Sequence, residues 1–235
     1  MSGRVGSITT GIITDGLVFN MDAANRASYP KTGTTATDTV NSINGTISGA
    51  SFNTTDNGIF NFDGTDDEIV LGNESPYKIT NSISLCYWFK STSSTSGVIT
   101  KDTSNGYFSG ASTKVYSIGT LSNELWMQIG DGTNVSRIHP SFSSYLDGNW
   151  HCVVGTWTPI ELCKLYVNGS LFSTNSLNNG SDPSSIQNVS NDLRISTSNS
   201  YSYNGSLGPI QIYNRALSAT EVLHNYDALA GRFGL

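Results

Sequence analysis

The segment LCKLYVNGSLFS, residues 162–173, carries Asn168-Gly169 near its centre. Asn-Gly between two apolar runs is the signature of a two-residue type I′ turn, because both central residues of that turn need positive φ. The run therefore predicts an antiparallel hairpin. The rest of the chain carries the same grammar of short runs separated by turn residues. GIFNFDG (58–64) alternates Ile59, Asn61 and Asp63 against Phe60 and Phe62. LVFNMDAAN (17–25), EIVLG (68–72), GVITK (97–101), KVYSIG (114–119), LWMQIG (125–130), NWHCVVGTW (149–157), DLRIS (192–196) and SLGPIQIYN (206–214) complete the strand candidates. ISLCYWFK (83–90) puts Ile83, Leu85, Tyr87 and Phe89 on one face and Cys86 and Trp88 on the other. Bulk on both faces predicts a central strand covered on both sides. Pro209 lacks a backbone donor, which places its part of the last strand at an edge or a bulge.

Roughly a dozen strands at this spacing predict an all-β fold, a two-sheet antiparallel jelly-roll-like sandwich. Tyr29–Asn44 and Thr174–Asn191 read as polar loops. One helix is expected near the C-terminus. Ser218 as N-cap and Glu221 three residues on form a capping box. Val222, Leu223 and Tyr226, with Leu229 or Ala230, make its apolar face, and Gly231 is the expected stop. At ~12 residues such a helix is marginal alone and must pack on the sandwich. The reading gives an N-terminal arm (1–14), one domain (15–230) and a C-terminal tail (231–235).

Charged residues make up only 13% of the chain, so Ser, Thr, Asn and Gly must supply the polar surface. The net charge is −6 and no basic run of five occurs, which argues against nucleic acid or an anionic membrane as partner. No stretch reaches 18 apolar residues, so no membrane insertion is expected. The start MSGRVGSITTGIITDG lacks the apolar core of a secretory signal. Cys86, Cys152 and Cys163 read as small buried hydrophobes, with a pair between Cys152 and Cys163 as the alternative.

FNFDGTDDEIVLG (60–72), ISLCYWFK (83–90), DGNWHCVVGTW…KLYVNGSL (147–171) and YNGSLGPIQIYNRALSATEVLHNY (203–226) occur in this order. Together they resemble the F-D-G-x-x-D-x-[IV], ISxWFK, W-H-H-V-V-G-T-[YW]…K-L-Y-V-[DN]-G and Y-[ND]-R-A-L-S-x-x-E segments of concanavalin A-like lectin/glucanase domains of the laminin-G-like type. The resemblance spans about residues 17–228 and implies the concanavalin A-like sandwich. That fold hosts lectins, glycosidases, adhesion modules and structural modules, so it leaves function open. The final NYDALAGRFGL is similar to the endings of such domains in tailed bacteriophage virion proteins.

Laminarinase-type relatives carry Glu-x-Asp-x-x-Glu on one strand to set two carboxylates across the scissile bond, and this chain has no such run. His151 and Cys152 are strand neighbours facing opposite ways, which makes a poor dyad, and no G-x-S-x-G elbow occurs. The expectation is a non-enzymatic protein. A Ca²⁺ site is the stronger option. Asp63, Asp66 and Asp67 sit on a glycine turn, and Asn204 comes from a second loop; the alternative is that these carboxylates cap their own turn. Carbohydrate contacts would fall to Tyr107, Trp126, Tyr201, Tyr203 and Asn204, where aromatic faces stack on sugars and amides fix hydroxyls. Ile8, Ile12, Ile13, Phe233 and Leu235 are apolar residues of the two ends and are expected to dock on a neighbouring subunit.

The leading expectation is a structural or decoration protein of a phage virion, assembled in the host cytoplasm. Its partners would be other virion subunits, a second copy of itself, or host and environmental polysaccharide. The alternative is a lectin-like module with Ca²⁺-assisted glycan recognition. A third is an atypical glycoside hydrolase using Asp66 or Glu161.

Overall fold

The structure, a computed structural model, describes residues 11–102, 114–174, 177–178, 182–197 and 201–235. In chain order the strands are β1 (Leu17–Met21), β2 (Thr35–Asp38), β3 (Ile43–Ser48), β4 (Ser51–Asn53), β5 (Ile59–Asp63), β6 (Glu68–Val70), β7 (Ile83–Lys90), β8 (Ser96–Asp102), β9 (Lys114–Leu121), β10 (Glu124–Gly130), β11 (Val135–Ile138), β12 (Trp150–Thr158), β13 (Leu162–Val167), β14 (Ser170–Ser173), β15 (Leu177–Asn178), β16 (Leu193–Ile195) and β17 (Asn204–Tyr213). Helix α1 (Ala219–Ala230) follows.

Two antiparallel sheets form the sandwich. The eight-stranded sheet runs β14-β13-β12-β7-β17-β5-β4, with β1 also on β17. The nine-stranded sheet runs β15-β11-β10-β9-β8-β16-β6-β3-β2. Alternate residues of facing strands fill the space between them. Ile83, Leu85, Tyr87 and Phe89 of β7 meet a core that includes Leu125, Met127 and Ile129 of β10.

The opposite face of the eight-stranded sheet is also covered. Cys86, Trp88, Trp150, Cys152 and Val154 pack there under Val222, Ala230 and Phe233. The two-faced pattern of β7 thus reflects its central place. Pro209 sits in a bulge: the β17–β7 register shifts between Leu207 and Ile210, although β17 is internal to its sheet. The bulge spares the ladder the donor that proline lacks. At Gly208, beside it, a Cβ would lie 2.8 Å from Phe233 Cζ and 3.1 Å from Trp88 Cβ. Only glycine lets the strand pass under those rings.

The hairpin turns as expected, with φ of 49° at Asn168 and 78° at Gly169. The α1 capping box is complete: Glu221 N–H donates to Ser218 Oγ, and Ser218 N–H donates to Glu221 Oε2 at 2.8 Å. Helix α1 ends at Ala230 with Gly231 as its C-cap, as expected, though Gly231 stays right-handed and opens a 3-10 turn (Gly231–Phe233), and Gly234 takes the left-handed conformation at φ 76°. Three expectations need correction. Leu223 is exposed, and Asn225 is buried in its stead. Tyr29–Asn44 is not all loop, because Thr35–Asp38 pairs with β3 around the buried Ala36. The segment 174–191 likewise contributes β15, which pairs with β11.

All three cysteines are buried thiols outside any disulfide. Cys152 lies under the helix and Cys163 in the inter-sheet core, on opposite faces of one sheet, so they cannot pair. Burial pushes the Cys152 thiol up to about 12 and the Cys86 thiol well above its ordinary value, so neither is a ready nucleophile.

Candidate functional site

The carboxylate cluster forms at the β5–β6 turn. One ligand atom each from Asp63, Asp66 and Asp67 falls within 4.8 Å of the others. Asn204 stands opposite Asp63 in the β17–β5 ladder, its side chain close to Gly64. Asp63 N–H donates to Asp67 Oδ2 at 2.8 Å, and Thr65 N–H donates to Asp63 Oδ1 at 2.8 Å. These are the bonds of a turn that caps itself. Burial, with the charges of Asp63 and Asp66 beside it, raises the Asp67 carboxyl above its ordinary range. The donor set suits Ca²⁺ in kind, with three carboxylates and an amide, but part of its oxygen capacity is spent on the turn.

The expected sugar contacts separate. Tyr203 is 1% exposed, edge-on to Phe62, with its hydroxyl donating to Ser206 O at 3.0 Å. It is a core residue and offers no face for stacking. Tyr107 and Ile8 lie outside the described residues. Trp126 and Tyr201 are half-buried, and the Tyr201 carbonyl accepts from Gly97 N–H at 2.6 Å.

The chain ends also resolve differently from the expectation. Phe233 is 8% exposed, stacked on Trp88 at 4.5 Å and tilted against Trp150 at 4.4 Å. Ile13 packs on the same cluster, its N–H donating to Asn225 Oδ1 at 2.8 Å and its carbonyl accepting from Tyr213 OH at 2.9 Å. Both residues serve their own domain, not a neighbour, because the Trp88–Trp150 surface offers a larger apolar contact than solvent does. Ile12 is half-buried, and Leu235 remains 54% exposed.

Trp126 leads to a site that sequence reading missed. In β10, Leu125, Met127 and Ile129 face the core, so Glu124, Trp126 and Gln128 face outward. The ladder carries Gln128 into line with Arg137 of β11 on one side and Ser117 of β9 on the other. Ser117 is aligned with Thr100 of β8, and Thr100 with Arg194 of β16. One polar row thus crosses five strands on the outer face of the nine-stranded sheet. Beside it, Trp126 stacks on His139 at 4.1 Å and 10°. Glu124 Oε2 accepts from Trp126 Nε1 at 3.2 Å and lies 3.3 Å from His139 Nδ1.

The row is buried and unsatisfied. Gln128 and Ser117 are each 1% exposed and Thr100 is 3% exposed. Gln128 Nε2 and Oε1, Ser117 Oγ, Thr100 Oγ1 and Arg137 Nε have no hydrogen-bond partner among the described residues. Each such orphan costs on the order of 1–3 kcal/mol. Burial also lowers the Arg137 pKa from its ordinary value. Sealed from solvent as they are, groups of this kind are ordinarily completed by buried water. The sequence signal was present as Gln128 and Arg137, polar residues in strands whose other face is apolar. Exposed polar residues look the same in a sequence.

A groove of about 280 Å³ lies elsewhere, lined among others by Val18, Pro76, Lys78 and Asn214, and it gathers none of these residues.

A sandwich of two antiparallel sheets in this order is a concanavalin A-like fold. The chain belongs to the concanavalin A-like lectin/glucanases superfamily, whose profile matches residues 63–223. No curated protein matches it. Among solved structures it is similar in fold to the binding domain of Paraclostridial Mosquitocidal Protein 1, with TM-score 0.68 and 14% identity over 91% of this chain and 52% of that one. It is also similar to the botulinum neurotoxin serotype D binding domain, with TM-score 0.64 and 15% identity over 92% and 51%. A third is the binding domain of botulinum neurotoxin DC in complex with rat synaptotagmin II, with TM-score 0.61 and 13% identity over 91% and 52%. The chain spans about half the length of these structures.

Proposed function

We propose that this chain is a non-enzymatic adhesion module that recognises glycan on the outer face of its nine-stranded sheet. The observation that carries the reading is the half-buried Trp126, stacked on His139 and bonded to Glu124 on the outward side of β10. An aromatic residue beside a carboxylate and an imidazole supplies the apolar and polar contacts that a sugar ring needs. The similar structures named as binding domains support a binding role. Glu161 is tied to Lys164 at 2.9 Å, and Asp66 belongs to the self-capped turn, so neither favours hydrolysis. A glycan array with the full chain tests the reading: saturable binding without release of reducing sugar is expected. Release of reducing sugar that is lost in Asp66→Asn or Glu161→Gln would overturn the non-enzymatic part.

The finer reading is that the module is carried on a tailed-phage virion as a structural or decoration subunit. Its support is the similarity of NYDALAGRFGL to virion-protein endings. With Phe233 and Ile13 committed to their own domain, the exposed Leu235 and the half-buried Ile12 are, among the described residues, the expected docking residues left for a neighbour. Mass spectrometry of purified particles tests it: stoichiometric occupancy supports the reading, and absence from particles contradicts it.

A further inference from the structure

We propose that the open groove between β1, the β6–β7 connection and the residue after β17 is a second ligand site, one that seats a single carboxylated sugar with its carboxylate on Lys78. It shares no residue with the Trp126–His139 pair and goes beyond the reading above.

The groove is built on pinned backbone. Tyr77, wholly buried, donates from its hydroxyl to Asp38 Oδ2 at 3.2 Å, and its carbonyl accepts from Tyr116 OH at 2.9 Å. Thr80 O accepts from Ile186 N–H at 2.8 Å and Val18 O from Asn41 Nδ2 at 2.7 Å, while Asn214 N–H donates to Gly16 O at 2.8 Å. The polar side chains of the lining are left out of this network. Those of Ser75, Lys78, Thr80, Asn81 and Asn214 belong to exposed residues and have no hydrogen bond or ion pair among the described residues. The apolar lining is Val18, Pro76 and Ile79, each buried or half-buried. The frame is thus preorganised, and a ligand need order only the exposed side chains.

The chemistry of the ligand follows from the lining. Among the described residues that line the groove, Lys78 is the one charged side chain, in a chain whose net charge is −6. The groove is therefore a local exception to a molecule that repels anions at long range. Lys101 is buried and bonded through Nζ to Asn73 Oδ1 at 2.8 Å and to Asn191 O. It lies near enough to feel the Lys78 charge: burial, and then Lys78, bring its pKa down to about 8, with Asp192 opposing. An anion beside Lys78 relieves both ammonium groups. Two amides and two hydroxyls supply donors and acceptors around it, the pattern that sugar hydroxyls complement. At about 280 Å³ the groove has room for one sugar ring, whose C–H face suits Val18, Pro76 and Ile79. An acidic peptide would pair with Lys78 but would leave most of the amides and hydroxyls unmatched.

The test is an NMR titration of the full chain with methyl glucuronide, methyl glucoside, acetate and an acidic tripeptide, following the backbone amides of Lys78, Asn81 and Asn214. Methyl glucuronide is expected to shift all three saturably, with methyl glucoside and acetate each binding at least about 10-fold more weakly. Lys78→Gln should bring the glucuronide down to the glucoside's affinity and leave the glucoside unchanged. Asn214→Ala, which keeps the backbone N–H bonded to Gly16, should weaken both sugars. Equal binding of glucuronide and glucoside, or a silent Lys78→Gln, would overturn the carboxylate assignment. Acetate or the tripeptide binding as tightly as the glucuronide would overturn the sugar assignment. Glucuronide shifts that are absent, or that fall only outside the groove, would overturn the site itself. Each of these outcomes leaves the Trp126 reading to its own glycan titration, because Trp126 lies outside the groove.

Discussion

Phe233 lies flat on Trp88, ring centroids 4.5 Å apart and planes 21° from parallel. The residue before it, Arg232, reaches Asp22 with two contacts of 2.8 and 2.9 Å and Asp56 O at 2.6 Å. The C-terminus thus ties the helix, the outer face of the eight-stranded sheet and the β1–β2 connection together. Phe233→Ala should destabilise the chain by about 3 kcal/mol, the low end for a Phe in a core, read as a shift of the urea midpoint. Leu235→Ala should stay within about 0.5 kcal/mol. Similar small effects from both would show that the tail is not part of the domain's packing.

Glu221 joins the helix cap to Arg215, with contacts of 2.7 and 3.0 Å to the guanidinium. Arg215 and then the Ser218 bonds hold its carboxyl down to about 2, against an ordinary 4.5. A folded pKa below the unfolded one gives stability that is present above about pH 4.5 and lost as pH falls towards 2. Glu221→Gln should lower stability at pH 7 by about 1 kcal/mol and flatten the slope of stability between pH 4.5 and 2. An unchanged slope in that window would contradict the pairing.

Gln128→Met should stabilise the unliganded chain, by about 1–3 kcal/mol, because it removes two buried unsatisfied atoms while keeping volume. Thermal unfolding without ligand reads this directly. Destabilisation on the same substitution would mean that the amide is satisfied within the fold.

The Asp63–Asp66–Asp67 turn should hold without a cation. Adding millimolar Ca²⁺ or a chelator is expected to leave the melting temperature unchanged, since the turn's own N–H groups occupy the carboxylates. Asp67, whose folded pKa is raised, contributes stability at low pH that is lost as pH rises through that folded value. Asp67→Asn should therefore be more stable than the parent at pH 7, with the difference shrinking on acidification. A clear rise in melting temperature with Ca²⁺ would reverse this account.

Much of the sandwich was legible because strand period and turn chemistry are local. Asn168-Gly169 announced its hairpin, Ser218 and Glu221 their cap, and β7 its double burial. Thr35–Asp38 escaped because an edge strand of Thr and Ala presents no alternating bulk. Gly231 marked the end of α1, but not the left-handed residue, which lies at Gly234 after a 3-10 turn that seats Phe233 on Trp88. The site was the least legible part. Tyr203 and Trp126 look alike in sequence, and only the ladder puts one in the core and the other outside. Arg137, Gln128, Ser117 and Thr100 come from four strands and become one row through pairing alone.

The measurement closest to the central claim is an NMR titration of the full chain with an oligosaccharide that the glycan array identifies, following side-chain N–H signals. The account predicts a saturable shift at Trp126 Nε1, with Asn225 Nδ2, on the buried face of the helix that covers the other sheet, unmoved. Binding whose shifts fall on the Asp63–Asn204 rim and leave Trp126 unmoved would contradict it.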